Sequence, residues 1–161
     1  MSDFDASYQI SRKRFEDAVL GLSQAQLNWR LHPGVLTIGE MALHVAGVEV
    51  SFISQLKGLE LDTMQSRLKQ SATEGVVNEN PFPFSELEIT PEAVAEALQI
   101  GRAHVESVIG NPSNELRSRT IKSALGPMID GTGALARLAF HPGYHQGQAH
   151  LIATAPGFPR E

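Results

Sequence analysis

Apolar residues recur along this chain at three- and four-residue steps, the pattern of helices that bury one face. The best-marked case begins at Thr37. Thr37-Ile38-Gly39-Glu40 spells a capping box: the threonine hydroxyl accepts from the Glu40 amide, and the glutamate reaches back to the Thr37 amide. Ile38, Met41, Val45, Val48, Phe52 and Leu56 then make one stripe, and Gly58 supplies a stop. A first helix is predicted from near Phe4 to Leu20, with Tyr8, Phe15, Val19 and the following Leu22 aimed at a core. A third opens at Thr90-Pro91, a capping residue followed by proline in the first helical position. It carries Val94, Leu98, Gly101, Val105 and Val108 and ends at Gly110-Asn111-Pro112. A fourth begins between Asp130 and Thr132, carries Leu135, Leu138, His145, Ala149 and Ile152, and stops at Pro156-Gly157.

The connections are long. In GLSQAQLNWRLHPGVL the SQAQL stretch predicts one further turn, and Pro33 biases His32 away from helical backbone. Residues 59–89 hold LDTMQSRLKQ, a short helix at most, and the turn-rich ENPFPFSE; a link of this length implies a crossover or a functional loop. Before the fourth helix, Leu116, Ile121 and Leu125 are expected to anchor a further loop. No segment shows the period-two alternation of a strand, and there is no internal repeat. The expectation is an all-α, four-helix bundle with long connections, forming a single domain over residues 1–161.

Composition narrows the function classes. The 161 residues are 42% hydrophobic and 19% charged, enough to bury a sizeable core. A formal charge of −5, with 13 basic residues and no basic run, argues against a nucleic-acid partner. SRKR at 11–14 is the densest cationic cluster and reads as the solvated face of a helix. The absence of cysteine removes disulfides, thiolate metal sites and thiol nucleophiles, and suits a reducing compartment. The start, MSDFDASYQ, is too polar and acidic for a signal peptide, and no apolar run is long enough to span a bilayer. A cytoplasmic protein without a membrane partner is expected.

Candidate chemistry lies in the histidines. His141 and His145 are one helical turn apart, on or beside the stripe of the fourth helix, so both face the bundle interior. Two such imidazoles suit one divalent ion, with nitrogens at roughly 2.0–2.1 Å; the same spacing also suits a core or capping pair. His44, between Met41 and Val48, faces inward as well. Three histidines without cysteine would leave coordination positions open, as in catalytic zinc sites. A zinc-protease HExxH is excluded, because Pro142 stands where the glutamate must be. His32, His104 and His150 read as structural or surface residues. Glu40 and Glu49 flank His44 without presenting an obvious general base, and Arg137 is either a contact for an anionic substrate or a surface residue.

LTIGEMALHVAGVE at 36–49 and LARLAFHPGYHQGQAHLI at 135–152 resemble the DinB-like superfamily of metal-binding four-helix bundles. The first is similar to the family's second helix, where a capped start leads to an inward histidine. The second resembles its His-x-x-x-His-x-Gly-Gln signature, with Tyr144 before the second histidine and Gln148 at the glutamine; NWRLHPGVLTIGE is similar too. The resemblance implies a triad of His44, His141 and His145 holding nickel, zinc or a similar divalent ion. It implies a homodimer, and metal-dependent thiol transferase or thiol-dependent isomerase chemistry on a small molecule, with a low-molecular-weight thiol as substrate; the leading expectation is a metal-dependent enzyme of transferase or hydrolase type. The rival reading is a non-catalytic binding or stress-response module with or without metal. A ferritin-like diiron protein is set aside, since its Glu-x-x-His pairs are missing.

One departure from the family's pattern is Pro142-Gly143 between the paired histidines. Proline removes the hydrogen bond to the Leu138 carbonyl and crowds the preceding turn, at about 3 kcal/mol in a regular helix. The helix is expected either to kink there or to restart.

Overall fold

The computed structural model describes residues 4–160; residues 1–3 and 161 of the expected domain lie outside the described residues. Four long helices carry the fold: α1 (Asp5–Val19), α3 (Ile38–Lys57), α5 (Pro91–Ile109) and α7 (Gly131–Ala153). Between them lie the short helices α2 (Gln24–Leu27), α4 (Thr63–Gln70) and α6 (Asn114–Ser118) and a small hairpin of β1 (Thr120–Lys122) and β2 (Met128–Asp130). The fold is the expected all-α bundle.

Each predicted cap forms. The Thr37 hydroxyl accepts from the Glu40 amide at 3.1 Å, and the Glu40 carboxylate accepts from the Thr37 amide at 2.8 Å. Thr90 and Asp130 cap α5 and α7 with a single bond each, accepting from the Ala93 and Gly133 amides, and Gly58 ends α3 with a left-handed φ of 65°. Two further capping boxes, Ser23/Gln26 and Asp62/Gln65, start α2 and α4, so SQAQL and LDTMQSRLKQ both fold into helix.

Helix α3 is the centre of the molecule. It packs on α5, α4 and α7, while α1 lies along α7. Its burial therefore extends beyond the single predicted stripe: between Ile38 and Leu56 nearly every side chain is enclosed. Glycines make this possible. A Cβ at Gly47 would overlap the Leu68 carbonyl of α4 and the hydroxyl of Ser71 just after it, and one at Gly101 of α5 would overlap the Glu49 carboxylate.

The structure corrects two expectations and resolves a third. SRKR is not uniformly solvated: Arg12 is fully buried, while Lys13 and Arg14 are exposed. Its Nε donates to Glu49 Oε1 at 2.9 Å, one terminal nitrogen donates to the Leu98 carbonyl at 2.6 Å, and the Tyr8 hydroxyl donates to Glu49 Oε1 at 2.9 Å. The expected loop between α5 and α7 contains the antiparallel hairpin, with Ile121 opposite Ile129. Ile121 is buried, but Leu125 sits at the turn, 73% exposed, so it does not anchor the loop. Finally, α7 runs as one helix through Pro142, with no restart. The Pro-Gly pair lies against α1: Pro142 is buried, the Ser11 hydroxyl donates to the Ala139 carbonyl at 2.7 Å, and a Cβ at Gly143 would stand 3.4 Å from the Ser11 Cβ. A side-chain donor from α1 thus reaches the α7 backbone at Ala139, next to the Leu138 carbonyl that Pro142 cannot serve.

Candidate metal centre

Helices α3 and α7 bring His44, His141 and His145 to one point. The Nε2 atom of His141 lies 3.1 Å from that of His44 and 3.0 Å from that of His145. The three rings meet edge to face, with centroids 4.5–5.0 Å apart. His32, His104 and His150 stay outside this cluster: His32 and His150 are exposed, and His104 Nδ1 donates to the Ile100 carbonyl one turn back on its own helix.

Local structure fixes which nitrogen His44 offers. His44 Nδ1 lies 2.9 Å from the Ser71 carbonyl, and a carbonyl only accepts, so Nδ1 carries the proton and Nε2 presents its lone pair. Ser71 is itself locked, fully buried, with its hydroxyl 2.7 Å from the Leu43 carbonyl and 2.6 Å from the Leu68 carbonyl. The Nδ1 atoms of His141 and His145 are buried with no hydrogen-bond partner among the described residues.

Electrostatics keep the rings neutral. Burial lowers the pKa of His44. Burial, then the neighbouring His145 and His44, push His141 well below the ordinary value, and burial followed by His44 lowers His145 to about 3. Neutral imidazole is the form that binds metal. Lone pairs that converge without a cation repel one another. Ligands about 2.0–2.1 Å from one tetrahedral ion stand about 3.3 Å apart, so the observed spacing needs only a slight opening. The donor set fits a divalent ion, and the three histidines could hold one.

The triad lines a cleft of about 730 Å³, within the usual range for small-molecule sites. Val35, Val48, Phe52 and Val77 make apolar walls, and Arg137, Tyr144 and Gln148 of α7 add polar groups. The Gln148 amide donates to the Tyr144 hydroxyl at 3.1 Å, which fixes both at the cleft wall. Glu40 and Glu49 do not line it: Glu40 closes the capping box and pairs with Arg30 at 2.7 Å, and Glu49 serves Arg12. Sequence reasoning missed Ser71 and the loop residues Val76 and Val77, which no local pattern marks as parts of a site.

Comparison with known proteins accords with this architecture. A crystal structure of a DinB-like protein from Bacillus cereus ATCC 10987 superposes with a TM-score of 0.61, covering 96% of this chain and 94% of that one at 18% identity. No curated protein matches the chain. The sequence model of the DinB superfamily matches residues 7–149, a span that includes all four long helices in whole or large part and all three converging histidines. The chain belongs to the DinB superfamily.

Proposed function

We propose that this protein is a metal-dependent enzyme of transferase or hydrolase type, holding a divalent ion such as zinc or nickel on His44, His141 and His145. The observation that carries the proposal is the meeting of three neutral imidazole nitrogens on the wall of an apolar cleft. When bound, such an ion supplies Lewis acidity and lowers the pKa of a water or thiol toward neutrality. The chain's own residues do the rest. The Ser71 carbonyl holds the His44 ring in the ligating tautomer. The open side of the cleft admits a small molecule, with a low-molecular-weight thiol the favoured class. The proposal includes a homodimer, which sedimentation of the purified protein tests, and a cytoplasmic setting.

A second reading, a non-catalytic binding module, is favoured by one observation: among the described residues no carboxylate lines the cleft, so no side-chain general base of that type is at hand. Metal content separates the alternatives. Untagged wild-type protein is expected to carry close to one ion per chain, and His44→Ala, His141→Ala and His145→Ala each to lose it. Wild type that refuses added zinc and nickel would sink the metal site. Retained metal without turnover across a panel of thiols and electrophiles would select the binding module.

A further inference from the structure

The cleft has a second chemical feature besides the triad. Among the described residues its lining contains no Asp, Glu or Lys, and Arg137 is the one permanently charged side chain in it. Arg137 lies one turn before His141 on α7, so the two side chains rise from neighbouring points on one face. It is half-buried, yet among the described residues it makes no ion pair or hydrogen bond, whereas Arg12, Arg30, Arg67, Arg102 and Arg119 all pair with carboxylates. In a chain with a net charge of −5, an unpaired guanidinium inside a carboxylate-free cleft is a local positive site.

Around it the wall is apolar, and much of that wall is exposed: Leu125, Phe140 and Leu151 are each at least two-thirds accessible, and Val77 is 42% accessible. These side chains come from three separate elements, the loop after α4, the hairpin turn and α7, and converge on one cavity. Exposed apolar side chains gathered around a concave site mark a place where another apolar surface is received.

We propose that the cleft takes a small molecule with an apolar body and an anionic head, the head received by Arg137 and the body by the wall of Val77, Leu125, Phe140 and Leu151. This rests on the reading of the cleft as the substrate site, and it names the substrate class. A guanidinium presents paired N–H donors in a plane, the geometry that matches a carboxylate or sulfonate. The anion is thereby held one helical turn from His141, and the triad faces the part of the molecule next to its head.

The probe is octanoate, titrated calorimetrically into EDTA-stripped protein and into zinc-supplemented protein, with octanamide and acetate as comparisons. Octanoate is expected to bind the stripped protein. Octanamide, which lacks the charge, and acetate, which lacks the body, are each expected to bind at least roughly tenfold more weakly. Arg137→Met should weaken octanoate by roughly ten- to hundredfold, the loss of a charged hydrogen-bonded pair. Arg137→Lys should restore part of that, and Arg14→Met, at an exposed arginine on a different helix, α1, should change nothing. Equal binding of octanoate and octanamide, or an Arg137→Met protein that binds octanoate like wild type, overturns the proposal. Octanoate that binds only with zinc, and independently of Arg137, overturns it too while leaving the metal site standing. Arg137-dependent binding to a protein that never takes up zinc supports it and sinks the metal site instead.

Discussion

Gly47→Ala is the most informative single substitution, because it tests the link between helix packing and ligand geometry without touching a histidine. A Cβ at position 47 would overlap the Leu68 carbonyl and the Ser71 hydroxyl and stand 3.0 Å from the Ala72 amide. Two of these obstacles are backbone atoms, so no rotamer change relieves the overlap; the end of α4 must move away from α3. Overpacking of this kind costs up to about 3 kcal/mol, and the better helix propensity of alanine returns about 1 kcal/mol, leaving a net loss of about 2 kcal/mol. For a chain of this length that is a fall in Tm of about 4–8 °C. The segment that moves carries the Ser71 carbonyl, which fixes the His44 tautomer at 2.9 Å. Loss of such a supporting bond lowers metal affinity about 10–100-fold. Urea unfolding measures the first effect, and zinc competition against a chromophoric chelator measures the second. Gly147→Ala is the control. Its Cβ would meet nothing within 4 Å, so it should stabilise by about 0.5–1 kcal/mol and leave zinc affinity unchanged. A Gly47→Ala protein destabilised as expected but binding zinc within twofold of wild type would refute the coupling through Ser71.

Two further outcomes follow from the buried polar groups. Arg12→Met strands the Glu49 carboxylate, which is 1% exposed, and should cost about 3–5 kcal/mol in urea unfolding; adding Glu49→Gln removes the stranded charge while keeping an acceptor for Tyr8, and should recover more than 1 kcal/mol, so strict additivity of the two single changes would contradict the pairing. The histidine triad makes the metal-free protein acid-sensitive: its pKa values are lowered on folding, so the unfolded chain binds more protons below its histidine pKa of about 6.5. The stability these rings contribute is therefore present above that pH and is lost as pH falls below it, for His145 down to about 3; urea midpoints of EDTA-treated protein between pH 8 and 5 should show this, and an unchanged slope in His145→Gln would count against it.

What the sequence discloses about this fold follows from the range of the interactions involved. Capping boxes and apolar stripes act over three or four residues, and Thr37, Thr90 and Asp130 begin helices where the local pattern says they do. The inward direction of His44 and His145 is legible for the same reason, since a helical period fixes which way a side chain points. Arg12 is illegible because its partner, Glu49, is 37 positions away, and a lone buried charge and a solvated one look alike inside SRKR. The hairpin escapes because strands of three residues are too short to display alternation.

Pro142-Gly143 shows the same limit at the site itself. Judged from α7 alone, the pair is an unfavourable interruption between two ligands. Judged against α1, it is a contact surface: a buried proline ring, a glycine with Ser11 close against it, and a serine hydroxyl bonded to the Ala139 carbonyl. The interruption thus sits in packing against α1, and beside a hydrogen bond from Ser11, that an isolated helix does not have. His141 and His145 keep their one-turn spacing because α7 stays helical through the interruption, with their Nε2 atoms 3.0 Å apart. The proline therefore does not count against the metal site. It ties the register of the two α7 ligands to the docking of α1, so a change at Ser11 that separates α1 from α7 should disturb the triad from outside the cleft.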